Sequence, residues 1–415
     1  MNNQIAITHI GLCTPLGNSP ETVLQRLVNG DTSAMQYRDD LLFSGPTIVG
    51  SVNDDSLIDI PEHLQLFACR NNQLLHTAAM QIAEAVSEAK ARYGADRIGV
   101  VLGTSTSGIS KGEAALAYQL EHGHFPPSYH YSQQELGSTS DYLKQLFELS
   151  GPCYTVSTAC SSSAKVFASA QRLLQANLCD MVIVGGVDSL CQLTVNGFNS
   201  LESIAKAHCN PFSQHRDGIN IGEGAALFTL ARGQSDVMLA GIGESADAHH
   251  ISAPHPEGLG AIAAMHSALA AANIQPEQID YVNLHGTATP KNDAMESRAI
   301  TKVFSPALPP CSSTKPLTGH TLGAAGAIEA AFCYLLLSPH NYLQQLPPHI
   351  WDGHADNNDP SIPLVSDNAS QHANSPLANS QPAKSQPAKS LNYIMSNSFA
   401  FGGSNASVIF CKKDA

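Results

Sequence analysis

Two stretches of this chain repeat each other in kind and in order. Ala78-Ala-Met80 opens an apolar helical pattern that leads to the turn Leu102-Gly-Thr-Ser-Thr-Ser107, and Ala263-Ala-Met265 opens one that leads to Leu284-His-Gly-Thr-Ala-Thr289. A second unit follows each. Cys153 to Leu174 reads as cysteine, strand, turn and small-residue helix, and Cys311 to Leu337 repeats that scheme with Lys315 and His320 in its turn. Chance recurrence of alanine-rich helices would not keep paired turns in matching order. The chain is therefore expected to form two related α/β halves, residues 1–235 and 236–415, with equivalent turns meeting at one pseudo-twofold centre.

The individual elements agree with that plan. Ile98-Gly-Val-Val-Leu102 and Met181-Val-Ile-Val184 are continuously apolar, as strands covered by helices on both faces must be. Ile5, Ile7 and Ile10 mark a first strand that ends at Pro15 and Gly17, and Thr22 to Val28 reads as a short helix. One helix is expected from about Ala68 to Tyr93, with Leu74, Leu75, Ala78, Ala79, Ile82, Ala85 and Val86 as its buried stripe. A strand Ala225 to Leu230 closes the first half, and a terminal pair, Tyr393-Ile-Met395 and Ser407-Val-Ile-Phe410, closes the second. From Asp352 to Ser390 the chain turns to Asn, Ser, Asp, Gln and Pro, with a tandem Gln-Pro-Ala-Lys-Ser at 381–390. With no apolar face to bury, that segment is expected to be a mobile surface loop.

Composition narrows the function. The 415 residues suffice for ~2–3 domain-sized units with an extensive core. A formal charge of −14 argues against nucleic acid, which requires a basic face. No stretch reaches the 18 or more apolar residues of a membrane span, and the N-terminus lacks a basic segment followed by an apolar one, so a cytoplasmic protein is expected. Ten cysteines occur without a Cys-x-x-Cys pair, and the 18 histidines without a His-Glu-x-x-His. Reduced thiols are expected, with neither a disulfide framework nor a metal site.

One cysteine stands out by position. In Thr155-Val-Ser-Thr-Ala-Cys-Ser-Ser-Ser-Ala-Lys165, Cys160 falls where a strand gives way to a helix. The free N–H groups and partial positive charge of a helix N-terminus favour a thiolate there, and small neighbours leave room for a substrate carbonyl. On this segment alone an inert core thiol is an equal reading. Three further turns, each after a strand, carry reactive groups: His285 after Tyr281-Val-Asn-Leu284, Lys315 and His320 with Glu329 downstream, and the glycine turn Phe399-Ala-Phe-Gly-Gly-Ser-Asn405. Gly319, Gly323 and Gly326 lack the spacing of a dinucleotide or phosphate loop, so close packing of a buried helix is their expected use.

Taken together, Thr158-Ala-Cys-Ser-Ser-Ser163, His285-Gly-Thr-Ala-Thr-Pro290, Ser313-Thr-Lys-Pro-Leu-Thr-Gly-His-Thr-Leu-Gly-Ala-Ala-Gly326, Asn397-Ser-Phe-Ala-Phe-Gly-Gly-Ser-Asn405 and Asn210-Pro-Phe-Ser-Gln-His-Arg-Asp-Gly-Ile-Asn-Ile-Gly-Glu-Gly-Ala225 resemble the motifs of the elongating β-ketoacyl-[acyl-carrier-protein] synthases. The resemblance runs over nearly the whole chain and implies a duplicated thiolase-like fold of layered sheets and helices. It implies decarboxylative condensation, with Cys160 as acyl-accepting nucleophile and His285 with His320 acting on a malonyl thioester. Lys315 would be the lysine of the site, paired to Glu329, and Thr287 and Thr289 would bind the phosphopantetheine arm. The backbone N–H groups of Cys160 and Phe401 would form an oxyanion hole, Phe401 also gating the acyl pocket. It implies no cofactor beyond the phosphopantetheine that substrates bring, an acyl carrier protein as partner, and a homodimer or a heterodimer with a related subunit.

The chain departs from the family's pattern in three respects. Ala400 stands where a glycine is usual, implying a stiffer gate; residues 366–390 are an insertion; and the basic surface for an acidic carrier is thin, with Arg70 and Lys206 in about the right segments. Two alternatives fit less well. A thiolase would use a second cysteine as base and no lysine like Lys315, and a chain-length-factor subunit typically loses the nucleophile.

Overall fold

The computed structural model describes residues 4–366 and 390–415. Its strands in chain order are β1 (Ile5–Cys13), β2 (Met35–Arg38), β3 (Thr47–Gly50), β4 (Ile98–Gly103), β5 (Cys153–Val156), β6 (Met181–Asp188), β7 (Ile221–Gly222), β8 (Gly224–Arg232), β9 (Val237–Ala246), β10 (Tyr281–Asn283), β11 (Cys311–Ser312), β12 (Tyr393–Phe399) and β13 (Ser404–Lys412). Ten of them hydrogen-bond in the order β11-β10-β12-β13-β9-β1-β8-β6-β4-β5, and β2-β3-β7 form a small separate sheet.

The duplication is written in that order. Outward from the centre, the first half runs β1-β8-β6-β4-β5 and the second β9-β13-β12-β10-β11. In each half the sequence is first, fifth, fourth, second and third strand. The halves join where β1 meets β9 antiparallel, through Ile5 opposite Leu239 and Ala6 opposite Met238. Within each half three strands are parallel, β5-β4-β6 and β11-β10-β12, so their carboxyl ends all open on one side.

Side-chain alternation builds five layers. On β8, Ala226, Phe228 and Leu230 face a core shared with the helices Ser162–Gln175 and Ala325–Leu337, while Ala225 and Leu227 face the helices Arg70–Met80, Ala83–Tyr93 and Ser138–Leu146. On β13, Ala406, Val408 and Phe410 face the shared core, and Ile409 faces the helices Leu259–Ala272 and Pro290–Phe304. The shared core carries rings in edge contact, Phe167 with Phe228 at 5.2 Å and with Phe410 at 5.7 Å. Each such buried ring stabilises by about 1.5–3 kcal/mol. The two central helices meet backbone to backbone: a Cβ on Gly326 would lie 2.7 Å from Ala164 N. The expected close-packing role of the glycine-rich turn is met there.

Two expectations are corrected. The stripe Leu74 to Val86 is buried as predicted, but it belongs to two helices, Arg70–Met80 and Ala83–Tyr93. At the break, the Gln81 side chain donates to Leu12 O at 2.6 Å and accepts from Leu12 N at 3.0 Å, which ties the helix end to β1. The segment after Asp352 is not a loose loop through Ser366. Cys311 N donates to Pro363 O and Val365 N to Cys311 O, both at 2.9 Å, and Asp356 and Asp359 pair with Arg216 at 3.0 and 2.7 Å. Its polar residues are consumed by specific partners, which composition cannot reveal. Most of the 366–390 insertion and of the tandem repeat lies outside the described residues. Among the described residues, no helix is long and apolar enough to cross a membrane.

Candidate active site

The carboxyl ends of strands from both halves deliver the candidate residues to one cavity of about 290 Å³, lined by Cys160, His285, Thr287, Thr289, His320 and Phe401 among others. Cys160 follows β5 after a tight turn. Ala159 is forced to φ +53°, a left-handed conformation that costs an L-residue ~1–2 kcal/mol, and the helix begins at Ser162. That turn aims the sulfur into the cavity. His320 Nε2 lies 3.0 Å from Cys160 Sγ. His285, after β10, stands perpendicular to His320 with ring centroids 5.4 Å apart. One ring nitrogen of each imidazole and the sulfur all lie within 4.8 Å of one another.

Lys315 and Glu329 sit behind the imidazoles. Lys315 Nζ is 2.6 Å from Glu329 Oε1 and also donates to the His285 carbonyl oxygen. Both side chains are buried, 2% and 4% exposed, so neither charge is relieved by water. Burial raises the Glu329 carboxyl, and Lys315 works against that rise. Burial lowers His285 and His320 well below the ordinary imidazole value, and the Lys315 charge lowers both further. At neutral pH both rings are therefore neutral and can offer N–H donors.

The thiol differs from the expectation. Cys160 sits where predicted, and the backbone N–H groups of Phe401 and Cys160 bond its sulfur. Yet burial pushes the thiol up to about 11, and Lys315 together with those N–H groups offsets this only in part. The resting group at neutral pH is a thiol beside a neutral imidazole, not the free thiolate that a helix N-terminus alone would favour. Sequence shows the helix end but not the depth at which it lies.

The glycine turn after β12 requires its glycines, since Gly402 and Gly403 adopt φ +79° and +74°. Ala400 at φ −96°, ψ 156° is ordinary extended backbone, so the residue that replaces the usual glycine is unstrained. The Phe401 ring packs on Phe198 at 5.6 Å. Thr287 Oγ1 and Thr289 Oγ1 are 2.9 Å apart on the cavity wall. Arg70 is not a free basic group: Glu223 pairs with it at 2.7 Å and Asp54 caps its other side. Lys206 remains exposed.

Three buried carboxylates escaped the sequence reading. Glu296 accepts from His285 N and Gly286 N, both at 2.8 Å, and Asp293 accepts from Thr287 N at 3.0 Å and Phe212 N at 2.8 Å. Their spacing, i and i+3 at the start of the helix behind the His285 turn, was the available signal. Asp188, at the end of β6, takes Ser105 N and Thr106 N at 2.8 Å from its own half and Ala324 N at 3.1 Å from the other. It locks the two turns together across the pseudo-twofold axis.

With the geometry described, comparison with known proteins defines the class. The family models described as the N-terminal and C-terminal domains of β-ketoacyl synthase match residues 2–236 and 237–350. The chain belongs to the β-ketoacyl synthase family. It is 29% identical to a 3-oxoacyl-[acyl-carrier-protein] synthase 2 of Staphylococcus aureus, with 100% of this chain and 99% of that protein aligned. It is 44% identical to a ketosynthase, ApeO, solved in complex with its chain length factor ApeC from Xenorhabdus doucetiae, with TM-score 0.88 over 99% of this chain and 98% of that one. A β-ketoacyl synthase from Burkholderia phymatum, 24% identical, shares the fold with TM-score 0.83 over 99% of each chain.

Proposed function

We propose that this chain lengthens an acyl group by decarboxylative condensation with malonyl-acyl-carrier-protein, giving a 3-oxoacyl-acyl-carrier-protein in fatty acid or related polyene or polyketide synthesis. The observation that carries the proposal is the meeting of Cys160 Sγ with His320 Nε2 at 3.0 Å, beside His285, in one cavity that both halves supply. In this reading residues 1–235 supply the nucleophile, and residues 236–415 the imidazoles, the lysine and the glycine turn.

The chemistry divides into two steps. Cys160 attacks the thioester carbonyl of the acyl donor, the N–H groups of Cys160 and Phe401 stabilise the oxyanion, and the carrier leaves as a thiol that takes up, through solvent, the proton Cys160 gives up. Malonyl thioester then loses carbon dioxide. Its enolate oxygen accepts hydrogen bonds from the neutral His285 and His320, the enolate carbon attacks the acyl-cysteine, the carbon–sulfur bond to Cys160 breaks, and the departing thiolate takes a proton from solvent. Burial keeps both rings neutral, and Lys315, held by Glu329, adds to that effect and fixes His285 through its carbonyl oxygen. Thr287 and Thr289 line the approach of the phosphopantetheine arm, which the substrates bring; no cofactor is otherwise needed.

A second subunit is part of the proposal. Among the described residues, β5 ends the ten-stranded sheet with only β4 beside it, and its Tyr154 is 40% exposed. An open strand edge of this kind suits pairing with a second chain of this architecture. With Cys160, His285 and His320 all present, this chain fits the active member, whether its partner is a copy or a related chain-length subunit. An acidic carrier protein is the other partner. A cytoplasmic setting belongs to the same reading, supported by ten unpaired cysteines.

Mass spectrometry of Cys160 after incubation with a panel of acyl-carrier proteins tests the proposal. An acyl adduct on Cys160 from at least one carrier, discharged by malonyl-carrier, is the expected result; an adduct on another residue, or none from any carrier, would overturn it.

A further inference from the structure

Away from the cavity, His215, Asp352 and His354 bring one ligand atom each to within 4.8 Å of one another. They belong to two segments far apart in sequence, and the fold holds these in register. Ser213 and Ala355 form an antiparallel bridge, and Gln214 N donates to His354 O at 2.9 Å. Beside them Arg216 binds Asp356 and Asp359, so its charge is neutralised. The three side chains thus stand on a paired platform that exists without any ion.

Hydrogen bonds orient them. Asp352 Oδ1 accepts from Ser213 Oγ at 2.8 Å and from His354 N at 3.0 Å, while Oδ2 faces His215 Nδ1 at 2.8 Å. His354 Nδ1 is 3.6 Å from Oδ1, and the two rings are 5.0 Å apart at 56°. The Gln214 side-chain amide is 3.3 Å from His215 Nε2. With the Gln214 amide nitrogen donating to Nε2, His215 donates its Nδ1–H to Asp352 Oδ2 in the ion-free chain, and a metal ion would take the place of that proton.

The geometry points to a surface site for a borderline divalent transition-metal ion such as Zn²⁺, held by His215, Asp352 and His354. His215 Nδ1 meets Asp352 Oδ2 at 2.8 Å and His354 Nδ1 meets Oδ1 at 3.6 Å, so the imidazoles approach the carboxylate from its two oxygens, and rotation of these exposed side chains reaches the ~3.3 Å ligand spacing of tetrahedral Zn²⁺ with bonds of ~2.0–2.1 Å. Two imidazoles with one carboxylate favour Zn²⁺, Ni²⁺ or Cu²⁺ over Mg²⁺ or Ca²⁺, which seek oxygen. The imidazoles are 57% and 59% exposed, so the fourth position is open to water. The ion would pin the Asp352 segment to the turn whose Phe212 packs beneath Gly286, on the far side of the His285 loop.

Equilibrium dialysis of the full chain against Zn²⁺, with bound metal counted, provides the test. The buried trio Cys160, His285 and His320 is the competing site, so Cys160→Ser is run alongside. The expected result is one saturable Zn²⁺ per chain, retained in Cys160→Ser and weakened at least tenfold in His215→Ala and in His354→Ala. Melting temperature should rise with Zn²⁺ in the wild type and in Cys160→Ser but not in the histidine variants, whose exposed positions leave the metal-free melting temperature unchanged. Absence of saturable binding, or binding lost in Cys160→Ser and kept in both histidine variants, would overturn the proposal.

Discussion

In the first half β5 runs into Cys160, whereas the strand in the same slot of the second half, β11, runs into Lys315 and His320. β4 leads to Thr104-Ser-Thr106, bound to the Asp188 carboxylate, whereas its counterpart β10 leads to His285. β6 ends on Asp188 itself, and its counterpart β12 opens into the glycine turn. One strand plan thus carries a buried thiol and a structural carboxylate on one side, and imidazoles, a lysine and a glycine turn on the other. The shared plan brings these turns to one point, and their different side chains underlie the division of labour proposed above.

The comparison can be broken most severely at the nucleophile. Cys160→Ala should abolish the acyl adduct without disturbing the second half. Because burial sets the thiol at about 11, iodoacetamide labelling of wild-type Cys160 should accelerate about tenfold per pH unit from neutrality toward that value. A plateau below pH 8 in a labelling series would restore the free thiolate that the helix end suggests.

On the opposite side, Lys315→Met leaves Glu329 buried without a partner. The expected loss is about 3–5 kcal/mol, read by urea unfolding, and it should shrink when Glu329 is replaced by Gln in the same chain. Glu296→Gln probes the support of His285. Burial raises the Glu296 carboxyl from an ordinary 4.5 to about 7, so its contribution is full below pH 4.5 and is lost as pH rises through 7. The stability of wild type relative to the variant should therefore fall by about 3 kcal/mol across that window, as followed by urea midpoints at several pH values. A flat difference would show that the carboxylate is not desolvated as described. At the seam between the halves, Gly326→Ala should cost about 1–3 kcal/mol, because the new Cβ would press on Ala164. An unchanged unfolding midpoint would mean that the two central helices do not meet as closely as their backbones indicate.

Much of this arrangement is legible in the residues themselves. Apolar strands, the turn motifs that follow them and the repeated order suffice to place Cys160, His285, Lys315 and His320 at strand ends. What stayed hidden depends on depth or on partners. Asp188, Asp293 and Glu296 look like ordinary acids until the fold aims backbone N–H groups at them. Arg70 looks like a docking cation until Glu223 comes near it from 153 residues away. The polar stretch after Asp352 reads as linker because its contacts are made with Arg216 and Cys311, remote in the chain.

The central claim is that the two halves perform separable steps, acyl capture by Cys160 and decarboxylation by His285 with His320. It is tested most directly by measuring, in His285→Ala and His320→Ala, both the acyl adduct on Cys160 and carbon dioxide release from malonyl-carrier. The account predicts that each variant still acquires the adduct while carbon dioxide release falls by ~10²–10³-fold, the effect of removing one oxyanion donor. Unimpaired carbon dioxide release in either variant, or a lost adduct, would contradict it.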